Sequence, residues 1–213
     1  MIDHSYLTPQ HDLSLYVHIP FCTIKCDYCD FYSLAGAAAG TKDALVSAVL
    51  NDLRQALPAV VDGRRTALES IYIGGGTPSV LSNDSLASLI DGINSLIPHA
   101  PKEWTVELNP ETLDREKLDA LSSCGVNRLS LGVQTTSEHG LHALGRAASA
   151  ERTRAALELV GRSWQGRWSA DLMVGFEGDT WQRLKMDLTT VVDLGARHLS
   201  LYALTVEPGT PLE

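Results

Sequence analysis

The sequence predicts an α/β protein: a partial (β/α)6 barrel with parallel strands inside and helices outside, three quarters of the eightfold TIM-like form. Two observations predict it. Short apolar runs alternate along the chain with amphipathic stretches, the pattern of repeated strand–helix units. The 213 residues suit one such domain, residues 1–213, and a hydrophobic content of 44% allows a sizeable core. No linker or low-complexity tract divides it.

Residues 14–19 read as the first strand, ended by Pro20, and the small residues 35–40 as a surface loop. Residues 42–57 follow as a helix with Leu45, Val49, Leu50, Leu53 and Leu57 on one face. Ser70 to Ile73 is the second strand, and Gly74-Gly75-Gly76-Thr77-Pro78 comes at once after it. Ser82 N-caps a helix in which Leu86, Leu89, Ile90, Ile93, Leu96 and Ile97 recur at helical spacing, stopped by Pro98. The third strand covers Trp104 to Leu108, and its helix runs from near Pro110 to Gly125. Residues 127–133 make strand four, before a helical region over 136–162 broken near Gly145. Strand five is Ser169 to Gly175. A variant capping box at Asp179–Gln182 then opens a helix with Leu184, Leu188, Val191 and Val192 inward. Residues 197–203 complete the six.

Between the first strand and its helix lies Cys22-Thr23-Ile24-Lys25-Cys26-Asp27-Tyr28-Cys29, three thiols in eight residues. Three is a poor disulfide framework, and the segment from Met1 to Asp12 lacks a leader's basic and apolar regions. Zinc wants four closed ligands, and the remaining thiol, Cys124, belongs at a helix end on the opposite rim, where it reads as a small buried residue. The spacing favours an iron–sulfur cluster with one iron left open, over zinc and over unliganded thiols. Loops after parallel barrel strands share one rim. The cysteine loop, the glycine turn, Glu107, Gln134 and Asp171 therefore meet there. The glycine turn alone reads equally as a plain turn or as a backbone cradle whose N–H groups meet a carboxylate. Asp171, in an apolar strand, needs a partner, and Arg146 is its natural candidate. His139 and His142 read as solvent-facing, and His18 as internally hydrogen-bonded. The formal charge of −9 disfavours a nucleic-acid partner. No apolar run is long enough to span a membrane, and clustered free thiols agree with a cytoplasmic location.

Tyr16-Val17-His18-Ile19-Pro20-Phe21-Cys22, the C-x3-C-x2-C spacing and the GGGTP element together resemble the radical S-adenosylmethionine (SAM) superfamily. Within it they resemble the branch of oxygen-independent coproporphyrinogen III dehydrogenases (oxidases) and HemW-type haem chaperones. The resemblance implies a [4Fe-4S] cluster on Cys22, Cys26 and Cys29, its open iron chelated by SAM, from which the reduced cluster releases a 5′-deoxyadenosyl radical. It assigns Tyr16, Gly75 and Glu107 to the SAM at the cluster. It assigns Tyr28, Gly76, Thr77, Gln134, Arg146 and Asp171 to positions that contact a second SAM in the dehydrogenases. Those enzymes carry a fourth cysteine two residues after the third, where Phe31 stands here, and a longer N-terminal extension. Both departures imply a haem chaperone delivering haem to respiratory proteins at the membrane, with porphyrin-forming decarboxylation as the alternative. The resemblance further implies a family C-terminal domain absent from this chain.

Overall fold

The computed structural model describes residues 13–60 and 68–213; the segment from Met1 to Asp12 lies outside the described residues. The chain opens with β1 (Leu13–Ile19), the two-residue strands β2 (Phe21–Cys22) and β3 (Leu34–Ala35), and helix α1 (Ala39–Val60). Then come β4 (Leu68–Gly75), α2 (Asn83–Asn94), β5 (Glu103–Leu108), α3 (Arg115–Ser123) and β6 (Arg128–Gln134). Two helices, α4 (Glu138–Ala143) and α5 (Ala150–Ser163), precede β7 (Arg167–Val174), and α6 (Trp181–Asp193) precedes β8 (His198–Ala203). The expected six long strands form one sheet in the order β1-β4-β5-β6-β7-β8. Every neighbouring pair is parallel. Among the described residues neither β1 nor β8 has a further neighbour, so the barrel is partial.

Period-two alternation divides the sheet into two chemistries. Ile71, Ile73, Trp104, Val106, Leu129, Leu131, Trp168, Ala170 and Leu172 belong to the apolar core shared with the helices. In α2, Leu86, Leu89, Ile90 and Ile93 are at most 1% exposed, each burial stabilising by about 1.5–3 kcal/mol. The alternate positions are polar and bond across strands: Ser70 to Ser14, Tyr72 to Glu107, Arg128 to Thr105 and Ser169, Ser130 to Asp171. The inner face of the barrel is therefore hydrophilic, which frees its rim for ligands.

Several local expectations are corrected. Residues 35–40 are not all loop, because Ala35 pairs with Cys22 and α1 begins at Ala39. Strand β4 runs through Gly75 rather than stopping at Ile73, since Gly74 and Gly75 still pair with β1. The single helix expected from Pro110 splits into a short 3-10 turn, Pro110–Thr112, and α3, whose N-cap Asp114 accepts from Lys117 N–H. Thr180, not Asp179, caps α6, accepting from Arg183 N–H. Val192 is 51% exposed, while Asp187 on the same helix is buried. Asp187 accepts from the Thr136 N–H and hydroxyl and pairs with Arg183, replacing an apolar contact with an ion pair between α6 and the β6–α4 loop.

Candidate cofactor site

At the C-terminal ends of the strands lies a cavity of about 440 Å³. All three clustered cysteines line it. β2 and β3 hold the loop down: Leu34 N–H donates to Pro20 O, and Gly36 N–H to Cys22 O. A turn closes with Cys29 N–H on Cys26 O at 3.1 Å. Asp27 N–H bonds Leu144 O, and Leu212 N–H bonds Asp27 O, so α4 and the last residues clamp the loop from outside.

Each sulfur has a distinct setting. Cys22 Sγ accepts from Thr77 Oγ1 at 3.6 Å, and that hydroxyl is in turn held by Asn109 Nδ2 at 2.9 Å. Cys26 is buried, and its sulfur accepts from Arg146 Nη1 at 3.4 Å. Burial pushes the Cys29 thiol up, with a backbone hydrogen bond from Phe31 opposing the shift and the neighbouring cysteines adding to it. Cys124 caps α3 near Asp91, outside this cavity as expected, but it is half-buried rather than buried. Among the described residues no three His, Cys, Asp or Glu side chains converge on a single-ion position. Three cysteine sulfurs from one loop, all lining one cavity, are the donor type an iron–sulfur cluster takes.

The glycine turn works differently from the cradle expected above. Its N–H groups are already taken: Gly75 donates to Glu107 Oε2 at 3.0 Å, Gly76 to Ile19 O and Thr77 to Phe21 O. What the turn supplies is room. A Cβ at Gly74 would lie 2.8 Å from the Glu107 carboxyl carbon, and one at Gly76 would lie 2.7 Å from Phe21 O and 3.0 Å from Cys22 Sγ. Gly75 also adopts φ +114°, a conformation closed to most side chains.

Opposite the thiols, Glu107 accepts from Tyr72 Oη at 2.6 Å. Burial raises its pKa, and the bonds from Tyr72 and Gly75 oppose the rise. Burial, then the Glu107 charge, raises the Tyr72 pKa. Gln134 lines the cavity at φ +62°, a left-handed conformation unique among the described non-glycine residues and costing about 1–3 kcal/mol. The β6–β7 register shifts at that point.

The expected Arg146–Asp171 pair does not form. Asp171 is satisfied by Ser130 Oγ at 3.2 Å. Arg146, only 5% exposed, donates to Cys26 Sγ and to Gly132 O at 2.9 Å and faces Glu111 at 3.7 Å. After the bend at Gly145, φ +62°, Arg146 reaches the thiol loop, Gly132 and Glu111 rather than Asp171. Burial opposes the charge on Arg146, but the Cys26 sulfur, Glu111 and Tyr28 outweigh it and raise its pKa. Of the proposed SAM positions, Tyr28, Gly75, Gly76, Thr77, Glu107, Gln134, Arg146 and Asp171 all line the cavity. Tyr16 does not. It is 56% exposed, stacks on Tyr72 and bonds His18. Burial, then Glu107, raises its pKa. His18 also bonds Tyr32 O, and His139 and His142 are exposed, as expected. Tyr72, Asn109 and Glu111 are site residues the sequence reading passed over; Tyr72 alternates with Ile71 and Ile73, which marks it as facing inward.

A parallel partial barrel carrying a three-cysteine loop and an acidic wall on one rim defines a class of cluster-binding α/β barrels. The chain belongs to the radical SAM superfamily, whose family model matches residues 16–191. That superfamily's cofactors are a [4Fe-4S] cluster and S-adenosylmethionine. Curated relatives include proteins named Heme chaperone HemW from Escherichia coli, 39% identical over 93% of this chain and 52% of its own length, and from Bacillus subtilis, 38% identical over 92% and 52%. The chain thus spans about half the length of these relatives. Among solved structures, coproporphyrinogen III oxidase (HemN) from E. coli superposes with a TM-score of 0.84 at 25% identity, over 95% of this chain and 46% of that one. The methyltransferase TsrM from Kitasatospora setae, at 16% identity and TM-score 0.68, shares the fold.

Proposed function

We propose that this chain is the cluster-bearing barrel of a HemW-type haem chaperone, a protein that binds haem and passes it to haem proteins. Cys22, Cys26 and Cys29 hold the [4Fe-4S] cluster, leaving one iron for SAM. When bound, the cluster supplies a one-electron donor beside the sulfonium. The protein's part is positional: Glu107, fixed by Tyr72 and Gly75, offers a carboxylate for the SAM amino group, while Arg146 keeps a positive charge on the cysteine wall. Gly76 admits Cys22 close to the turn. Tyr28, Thr77, Gln134 and Asp171 contribute the remaining polar contacts, and Tyr16 acts through Tyr72 rather than by lining the cavity.

The observation that carries this reading is the identity to proteins named as haem chaperones, 33–39% over nearly the whole chain. Phe31, 65% exposed at the cavity, agrees with it, standing where the resembling dehydrogenases have a cysteine. The second reading, oxidative decarboxylation of coproporphyrinogen III, is favoured by the closeness of the fold to HemN. The chaperone reading places the protein in the cytoplasm, handing haem to recipients at the membrane; no helix among the described residues is long and apolar enough to cross one. The test is anaerobic reconstitution of the full-length protein, followed by parallel assays of haem uptake and of coproporphyrinogen turnover. Saturable haem binding without turnover is expected. Turnover at enzymatic rates would overturn the chaperone assignment.

A further inference from the structure

A second cavity, of about 460 Å³, lies on the other side of Cys22 from the cofactor site. It opens between the start of α1, the 3-10 turn at Pro78–Val80 and the start of α5, and three cations line it: Lys42, Lys117 and Arg152. Lys117 is only 5% exposed. All three are held by backbone carbonyls: Lys42 Nζ by Val80 O at 3.3 Å, Lys117 Nζ by Leu81 O at 2.8 Å, and Arg152 by Leu113 O. Among the described residues none of them has a carboxylate within ion-pair distance. Two carboxylates also line the cavity, and neither forms an ion pair with these three cations. Glu111 faces Arg146, and Asp114 Oδ1 accepts from the Lys117 backbone N–H.

Each ammonium has three donors, and its carbonyl occupies one; a guanidinium has five. The carbonyl contacts fix the side chains while leaving donors free. Of the three only Lys117 is buried; burial lowers its pKa, opposed by the Asp114 charge, with nearby Lys42 lowering it further. A ligand carrying two negative charges relieves that repulsion. The cavity is many times a water's share of about 30 Å³ and falls within the roughly 300–1,000 Å³ of small-molecule sites.

We propose that this cavity binds a phosphate-class dianion, held by Lys42, Lys117 and Arg152. The ligand is either free phosphate or the phosphate of a small monoester. The cavity shares the Cys22 wall with the cofactor cavity, but its test does not depend on the haem reading. Full-length protein is titrated by calorimetry with inorganic phosphate and, separately, with ribose 5-phosphate. Saturable one-to-one binding of at least one is expected, and the tighter of the two identifies the source. Lys42→Gln combined with Arg152→Gln is expected to weaken binding at least tenfold, and Arg152→Lys to leave it unchanged within error. Lys117 is left intact because it is buried. Should the double variant unfold, Arg152→Gln alone, at an exposed helix position, is expected to weaken binding about threefold. Absence of saturable binding overturns the proposal. So does binding whose affinity survives these substitutions, which would place the anion elsewhere on the protein.

Discussion

Replacing Arg146 with methionine removes the charge that joins the cysteine loop to the β5–α3 segment while keeping most of the side chain's length. Glu111 would be left with a side chain 14% exposed, an Oε2 that has no hydrogen bond, and no cation in place of Arg146 at 3.7 Å. Gly132 O and Cys26 Sγ would each lose a donor. Breaking a buried pair from one side destabilises by about 3–5 kcal/mol, because the surviving charge is uncompensated. The orphaned carbonyl adds roughly 1 kcal/mol that overlaps with this figure. Against a total stability of about 5–15 kcal/mol, the loss is large. With a urea slope of about 2–3 kcal/mol/M, the unfolding midpoint of the metal-free, reduced protein should fall by roughly 1–2 M. Adding Glu111→Gln should recover at least about 1 kcal/mol, since it removes the stranded charge. A loss below about 1 kcal/mol in Arg146→Met, or no recovery in the double variant, would refute the linkage.

Glu107→Gln tests the acidic wall through pH. The folded chain holds the Glu107 proton more tightly than the unfolded chain, because burial raises its pKa. The protonated fold is favoured, and stability is lost as pH rises from the unfolded value near 4.3 through the raised folded value. Urea midpoints measured across that interval should vary less in the variant; an unchanged slope would assign it to other groups. Gly76→Ala should destabilise by about 1–3 kcal/mol through crowding of Phe21 O and Cys22 Sγ. It should also cut iron and sulfide incorporation by half or more on anaerobic reconstitution, whereas Gly40→Ala, with open space around it, should incorporate normally. Asp187→Asn should lose about 1.5–3 kcal/mol by weakening the bonds from Arg183 and Thr136, read as a lowered thermal midpoint.

The parts of the fold that show in the sequence are those with a period. The six long strands and the α2 stripe repeat often enough to be read, and the rule that parallel barrel strands share one rim brings residues about 150 apart to one cavity. The two-residue pair β2–β3 carries no period, and its partners are fixed only by the loop closing on itself. Side-chain partnerships are harder still. The apolar setting of Asp171 announces a need for a partner, but a serine on the next strand answers it locally. Arg146 is drawn to Cys26 and Glu111, contacts that depend on where the chain turns after α4. The glycine turn was legible as a place of close approach. That its own backbone and Glu107 take up the N–H groups follows from the register of β4 beside β1 and β5, which three glycines do not encode.

The margin of β8 governs how these 213 residues behave when handled by themselves. Its outer backbone groups face no strand among the described residues, and Leu201 and Tyr202 stand more than half exposed along it. A bare ribbon of that kind templates pairing between molecules. Leu201→Lys is therefore expected to lower any concentration-dependent association of these residues, read by light scattering.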